Sequence, residues 1–131
     1  MKCLIVEDDF ASRMILQRFL MPYGDTEIAR DGNEAIAAFQ RSVQTGSRFD
    51  LVCLDIMLPG VNGQTVLKEI RSMETTSLPP AAKAARVVMT TAVSDRETVM
   101  DVIQHCDAYL VKPVKMADLI SLLKRFGLIK A

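Results

Sequence analysis

The sequence predicts an α/β protein in which five parallel strands form an open, doubly wound sheet with helices on both faces. Three observations carry this. Short apolar runs recur along the chain, each too brief for a helix and rich in strand-favouring residues. Amphipathic helical patterns fill the intervals between them, so that β and α alternate five times, an order that requires crossover connections between parallel strands. Two of the runs, Cys3–Val6 and Leu51–Leu54, show no polar alternation, as strands covered on both faces do.

The elements follow in order. Cys3–Val6 is the first strand, and Ala11, Ile15, Leu16, Phe19 and Leu20 mark a helix that Pro22 and Gly24 end. Thr26–Arg30 is more polar, as an edge strand would be. Asp31, with Glu34 three residues on, is an acidic variant of the capping box and opens a helix through Ile36, Phe39 and Val43. Leu51–Leu54 is the third strand; Asn62 then opens a helix through Val66, Leu67, Ile70 and Met73. The one long connection, Glu74–Ala85 with Pro79-Pro80 in it, reads as a solvated loop or an extra turn of helix, a partner-binding insertion being the alternative. Val87–Met89 is the fourth strand. Ser94 and Glu97 form a full capping box before Val99, Met100 and Ile103. Tyr109–Val111 is the fifth strand, and the last helix passes through Met116, Leu119, Leu122, Leu123 and Phe126 to stop at Gly127.

A length of 131 residues suits one domain, 1–131, with no internal repeat or linker and no separate effector domain. The 16 basic and 16 acidic residues cancel, so no net field draws the chain to nucleic acid or to a membrane surface. No apolar stretch has the length of a membrane span, and Cys3-Leu4-Ile5-Val6 is too short for a signal sequence. Cys3, Cys53 and Cys106 are odd in number, far apart and in no CxxC pair, which fits reduced thiols in a cytoplasmic setting.

In a doubly wound sheet, ligands bind outside the carboxyl ends of the strands. Glu7, Asp8 and Asp9 follow the first run, Asp55 the third, Thr90 and Thr91 the fourth, and Lys112 the fifth. Taken singly each has an ordinary explanation: the first three acids as helix caps, Asp55 as a turn residue, Thr91 as structural, Lys112 as a surface amine. Their convergence on one rim argues for chemistry. Two unit charges 4 Å apart repel by ~4 kcal/mol at an effective dielectric of 20, and one lysine cannot offset three or four acids. A hard divalent cation can. All-oxygen donors without His or Cys favour Mg²⁺ or Mn²⁺, which keeps waters that a phosphate displaces.

These residues resemble the response-regulator receiver domains over essentially the whole chain. The matching segments are Cys3-Leu4-Ile5-Val6-Glu7-Asp8-Asp9, Leu54-Asp55-Ile56-Met57-Leu58-Pro59-Gly60-Val61-Asn62-Gly63, Met89-Thr90-Thr91-Ala92 and Ala108-Tyr109-Leu110-Val111-Lys112-Pro113. Four segments in that order and spacing are highly specific. The resemblance implies a flavodoxin-like fold of sheet order 2-1-3-4-5 and a phosphorylation-dependent switch of two-component signalling rather than a turnover enzyme. It implies that Asp55 accepts a phosphoryl group from a histidine kinase or a histidine phosphotransfer protein. Mg²⁺ would be bound by Asp8, Asp55 and the backbone carbonyl of Met57, with Glu7 reaching it directly or through water. Lys112 would pair with Asp55 and then with the phosphoryl oxygens, and Pro113 would follow a cis peptide that aims Lys112. Thr91 would donate to the phosphoryl group and Tyr109 would follow it inward. The fourth helix, fifth strand and fifth helix would then repack, changing the fit to a downstream protein effector, with dimerisation on phosphorylation as one route.

The chain departs from the common pattern at several positions. Glu7 stands where Asp is commoner, and His105 where many members have Gly. Asp9 has no required role and reads as a cap or outer anion. Met57 and Val93 are apolar where polar residues in the family help place a hydrolytic water, implying slow self-dephosphorylation. Three other classes fit these residues less well. A haloacid-dehalogenase-type phosphatase needs a second Asp two residues after the nucleophile, and that position is Met57. A flavodoxin-like FMN carrier wants a hydroxyl- and glycine-rich loop after the first strand, where Glu7-Asp8-Asp9 would repel phosphate. A non-phosphorylated interaction module would have no use for the acid pocket.

Overall fold

A computed structural model describes residues 1–79, 82–92 and 105–130. The strands are β1 (Lys2–Val6), β2 (Asp25–Ala29), β3 (Leu51–Asp55), β4 (Arg86–Thr91) and β5 (Ala108–Val111). All neighbours are parallel and the order is β2-β1-β3-β4-β5. This is the doubly wound arrangement that the alternation of apolar runs and amphipathic segments predicts. The helices are α1 (Phe10–Leu20), α2 (Gly32–Thr45), α3 (Gly63–Ser77) and a C-terminal helix (Met116–Arg125), with a 3₁₀ turn at Met21–Tyr23. The predicted helix opened by Ser94, together with Val93, lies outside the described residues.

Strand pleating sorts the core into two layers. Leu4, Val6, Val52, Leu54, Val87 and Met89 point to one face, where Phe39 of α2 and Val66, Leu67 and Ile70 of α3 cover them. Their sequence neighbours Cys3, Ile5, Leu51, Cys53 and Val88 point to the other, under Leu16 and Leu20 of α1 and Leu119, Leu122 and Leu123 of the C-terminal helix. β1 and β3 are thus apolar at every core position because both faces are covered. Each fully buried Leu or Ile contributes ~2 kcal/mol of burial. β2 at the edge is only partly buried until Ala29, matching its polar composition.

Local capping sets where the helices begin. Asp31 accepts from the Glu34 amide at 2.8 Å, Asn62 from that of Thr65 at 2.9 Å, and Asp9 from that of Ser12 at 2.9 Å. Asp9 is therefore the cap of α1, one of the two roles its position allowed, and the Ser12 amide holds its carboxyl below the usual range. β1, β3, β4 and β5 each extend one or two residues beyond their apolar runs at one end or both, and two elements are displaced or lengthened. β2 begins and ends one residue earlier than Thr26–Arg30. The expected connection from Glu74 starts as helix, since α3 continues to Ser77. Glu74 bends back to accept from the Ala85 amide at 2.6 Å, so the far end of the connection is tied to the helix that precedes it.

Candidate functional site

Register brings the rim residues abreast. Val6 lies opposite Leu54, so Glu7 and Asp55, one step further on, leave the sheet side by side. Asp55 is opposite Thr90, and Val111 opposite Thr91, which puts Lys112 immediately beyond the last rung. The Lys112 amide donates to the Thr91 carbonyl at 2.7 Å and the Ile56 amide to that of Thr90 at 3.0 Å, extending the ladder past the strand ends. Residues far apart in the chain meet because parallel strands end at the same level.

The side chains meet there as well. Lys112 Nζ lies 3.0 Å from Asp55 Oδ2 and 2.6 Å from Glu7 Oε1. Oxygens of Glu7, Asp8 and Asp55 all lie within 4.8 Å of one another. Glu7 and Asp55 are buried, whereas Asp8 is exposed at the mouth. Glu7 feels the crowding most. Burial, the dominant cause, together with the neighbouring Asp55 pushes its carboxyl up to about 7 against the lowering pull of the Lys112 ammonium. For Lys112, burial works to lower the pKa, but the two carboxylates outweigh it and the net shift is upward.

Three carboxylates facing one ammonium leave a deficit of about two positive charges, which one divalent ion would meet. The donors are all oxygen and one of them is open to solvent, as Mg²⁺ with retained waters requires. The residues fit that ion.

Around this cluster, the Met57 amide donates to Asp55 Oδ1 at 3.1 Å, while the Met57 side chain is exposed. Thr91 is buried and its hydroxyl donates to the Ala92 carbonyl at 3.0 Å. Tyr109 on β5 is exposed. The Lys112–Pro113 peptide is cis. His105 precedes the amino end of β5, away from this rim at the carboxyl ends, its carbonyl accepting from Arg71 Nε at 2.9 Å.

Reasoning from the sequence passed over two contributors. Gly63 opens α3 so close to the end of β3 that a Cβ there would overlap the Asp55 carbonyl and Ile56 Cα. Its sign in the sequence is only a glycine next to an N-cap, where other residues serve as well. Arg13 reaches back from α1 to the β1–α1 turn, donating from Nη1 to the carbonyls of Glu7 at 3.2 Å and Asp8 at 3.3 Å.

Comparison with known proteins identifies the class. A family model described as the response regulator receiver domain matches residues 3–124, and the chain belongs to that family: it is a receiver domain of two-component signalling. It is 34% identical to the regulatory protein VanRB of Enterococcus faecalis over 96% of this chain but 54% of the relative, so it spans about half that protein's length. Among solved structures it resembles the receiver domain of a Pseudomonas aeruginosa sensor histidine kinase that has a magnesium ion coordinated in its active-site cleft. That match has a TM-score of 0.75 and 26% identity and covers 96% of this chain and 97% of the other. It also resembles, with a TM-score of 0.82 and 26% identity over 97% of this chain and 88% of the other, a chain in the Saccharomyces cerevisiae complex of the phosphotransfer protein Ypd1 with the receiver domain of Ssk1.

Proposed function

We propose that Asp55 is the phosphoacceptor of this receiver and that Glu7, Asp8, Asp55 and the Met57 carbonyl form its Mg²⁺ site. The observation that carries the proposal is the Lys112 ammonium 3.0 Å from Asp55 and 2.6 Å from Glu7, beside three carboxylates it cannot neutralise alone. When bound, the cation supplies charge neutralisation to the oxygens of the incoming phosphoryl group. The chain's own residues supply the rest. Asp55 presents a carboxylate oxygen as nucleophile, with its other face held by the Met57 amide. Lys112 is placed to move from the carboxylate to the phosphoryl oxygens as charge builds there. Thr91 would exchange its Ala92 partner for a phosphoryl oxygen, and Tyr109 would leave solvent for the space vacated.

A carboxylate of one negative charge becomes an acyl phosphate of about two. That change would bias the β5 side of the domain between two packings and so alter its fit to a protein effector. The donor would be a phosphohistidine on a kinase or phosphotransfer protein, a role supported by the likeness to the Ypd1–Ssk1 complex. The test is incubation with acetyl phosphate and Mg²⁺ followed by intact mass. Wild type should gain one phosphoryl mass, and Asp55→Asn should gain none. Wild-type protein that stays unmodified, or an Asp55→Asn variant modified to the same extent, would overturn the assignment.

A further inference from the structure

The geometry points to Arg13 as a positioning residue that clamps the β1–α1 turn and thereby sets the spacing of the Glu7 and Asp8 carboxylates for Mg²⁺. This rests on the Mg²⁺ reading above and adds a residue to it. Arg13 stands beside three acidic residues, yet among the described residues it forms no salt bridge. It spends Nη1 instead on two consecutive main-chain carbonyls, at 3.2 and 3.3 Å. Carbonyls of successive residues point in opposite directions along a strand. One nitrogen can collect both only where the chain has left the strand, and it is in that turn that Glu7 is buried and Asp8 exposed.

Two further contacts hold the clamp. The guanidinium carbon lies 5.5 Å from the centre of the Phe10 ring, which limits the rotamers open to the arginine. The Asp9 amide donates to Glu7 Oε2 at 3.2 Å, so the turn that Arg13 braces also orients the buried carboxylate directly. Arg13 thus acts on the metal through the backbone, without touching it.

The sign of the effect separates this role from simple electrostatics. A cation near a cation site repels the ion, so removing its charge alone would tighten Mg²⁺ binding. Loss of the clamp would instead let the two carboxylates drift apart and loosen binding, by about tenfold, as removing partners of metal ligands does. The experiment is calorimetric titration of Mg²⁺ into wild type, Arg13→Ala, Arg13→Lys and Arg13→Gln. Arg13→Ala should bind about tenfold more weakly. Arg13→Lys should recover part of the affinity through one carbonyl, and Arg13→Gln should not bind more weakly than Arg13→Ala, since it loses the charge but keeps donors. Unchanged or tighter binding by Arg13→Ala, in a wild type that binds Mg²⁺, would overturn the clamp while leaving the metal site standing. Wild-type protein that binds no Mg²⁺ would overturn the site itself.

Discussion

The two ends of the sheet use the same kinds of charged residue to opposite ends. At the amino ends of β4 and β5, Arg71 of α3 donates to Glu74 and to the Ala85 carbonyl at 2.8 Å each, to the His105 carbonyl at 2.9 Å and to Asp107 at 3.1 Å. Asp107 in turn accepts from Arg86 at 3.1 Å and from the Val87 amide at 2.7 Å. Two guanidinium groups meet two carboxylates. At the carboxyl ends, three carboxylates share Lys112. The closed network has spent its charge on holding loops in place, whereas the open one keeps a deficit that a ligand can fill. Charge density alone does not mark a functional site; imbalance does.

The largest effect expected from this contrast is on stability. Arg71→Ala leaves the Glu74 carboxylate, whose side chain is 8% exposed, without its ion pair. Urea unfolding should show a loss of about 3 kcal/mol, with Mg²⁺ affinity unchanged. A loss below ~1 kcal/mol would mean that the rear network is ornamental.

The opposite sign is expected at the front. Glu7→Gln removes one of three crowded carboxylates and spares a buried charge. In metal-free buffer at pH 8 it should raise the unfolding free energy by about 1 kcal/mol while weakening Mg²⁺ binding. Lower stability in the metal-free variant would show that the Lys112 pair outweighs the crowding. A front and a rear that both lose stability would erase the distinction between them.

The smallest effect lies between the two ends. Burial pushes the Cys3 thiol from its ordinary 9.0 up to about 12, and burial raises Cys53 too. A raised folded value stabilises the native state fully below pH 9 and is lost as pH climbs toward 12. Thiolate absorbance at 240 nm and pH 9.5 should therefore be weak in native protein and rise on unfolding in urea. Equal absorbance in the two states would contradict the burial of both thiols.

Much of this was legible before any coordinates. The caps Asp31 and Asn62 each act on an amide three residues away, and the unbroken runs of β1 and β3 announce burial on two faces. The acids and Lys112 were legible as rim residues because each directly follows an apolar run. The rear network was not, since Arg71, Glu74 and Asp107 sit in polar stretches that read as any solvated helix face or loop. Arg13 was hidden for the same reason: its partners are carbonyls, which every residue carries.

Among the described residues, the sequence by itself determined the run of strands and helices and which chemical groups would stand at the strand ends, because those follow from neighbours within three or four positions. The sheet order was legible only through resemblance to a known family. Only the tertiary structure decided that Glu7 is buried while Asp8 is open, that one ammonium serves two carboxylates, and that the rear charges cancel. Those outcomes depend on strand register, which is set by how the two apolar layers pack across residues 48 apart in the chain between β1 and β3, and 57 apart between Asp55 and Lys112.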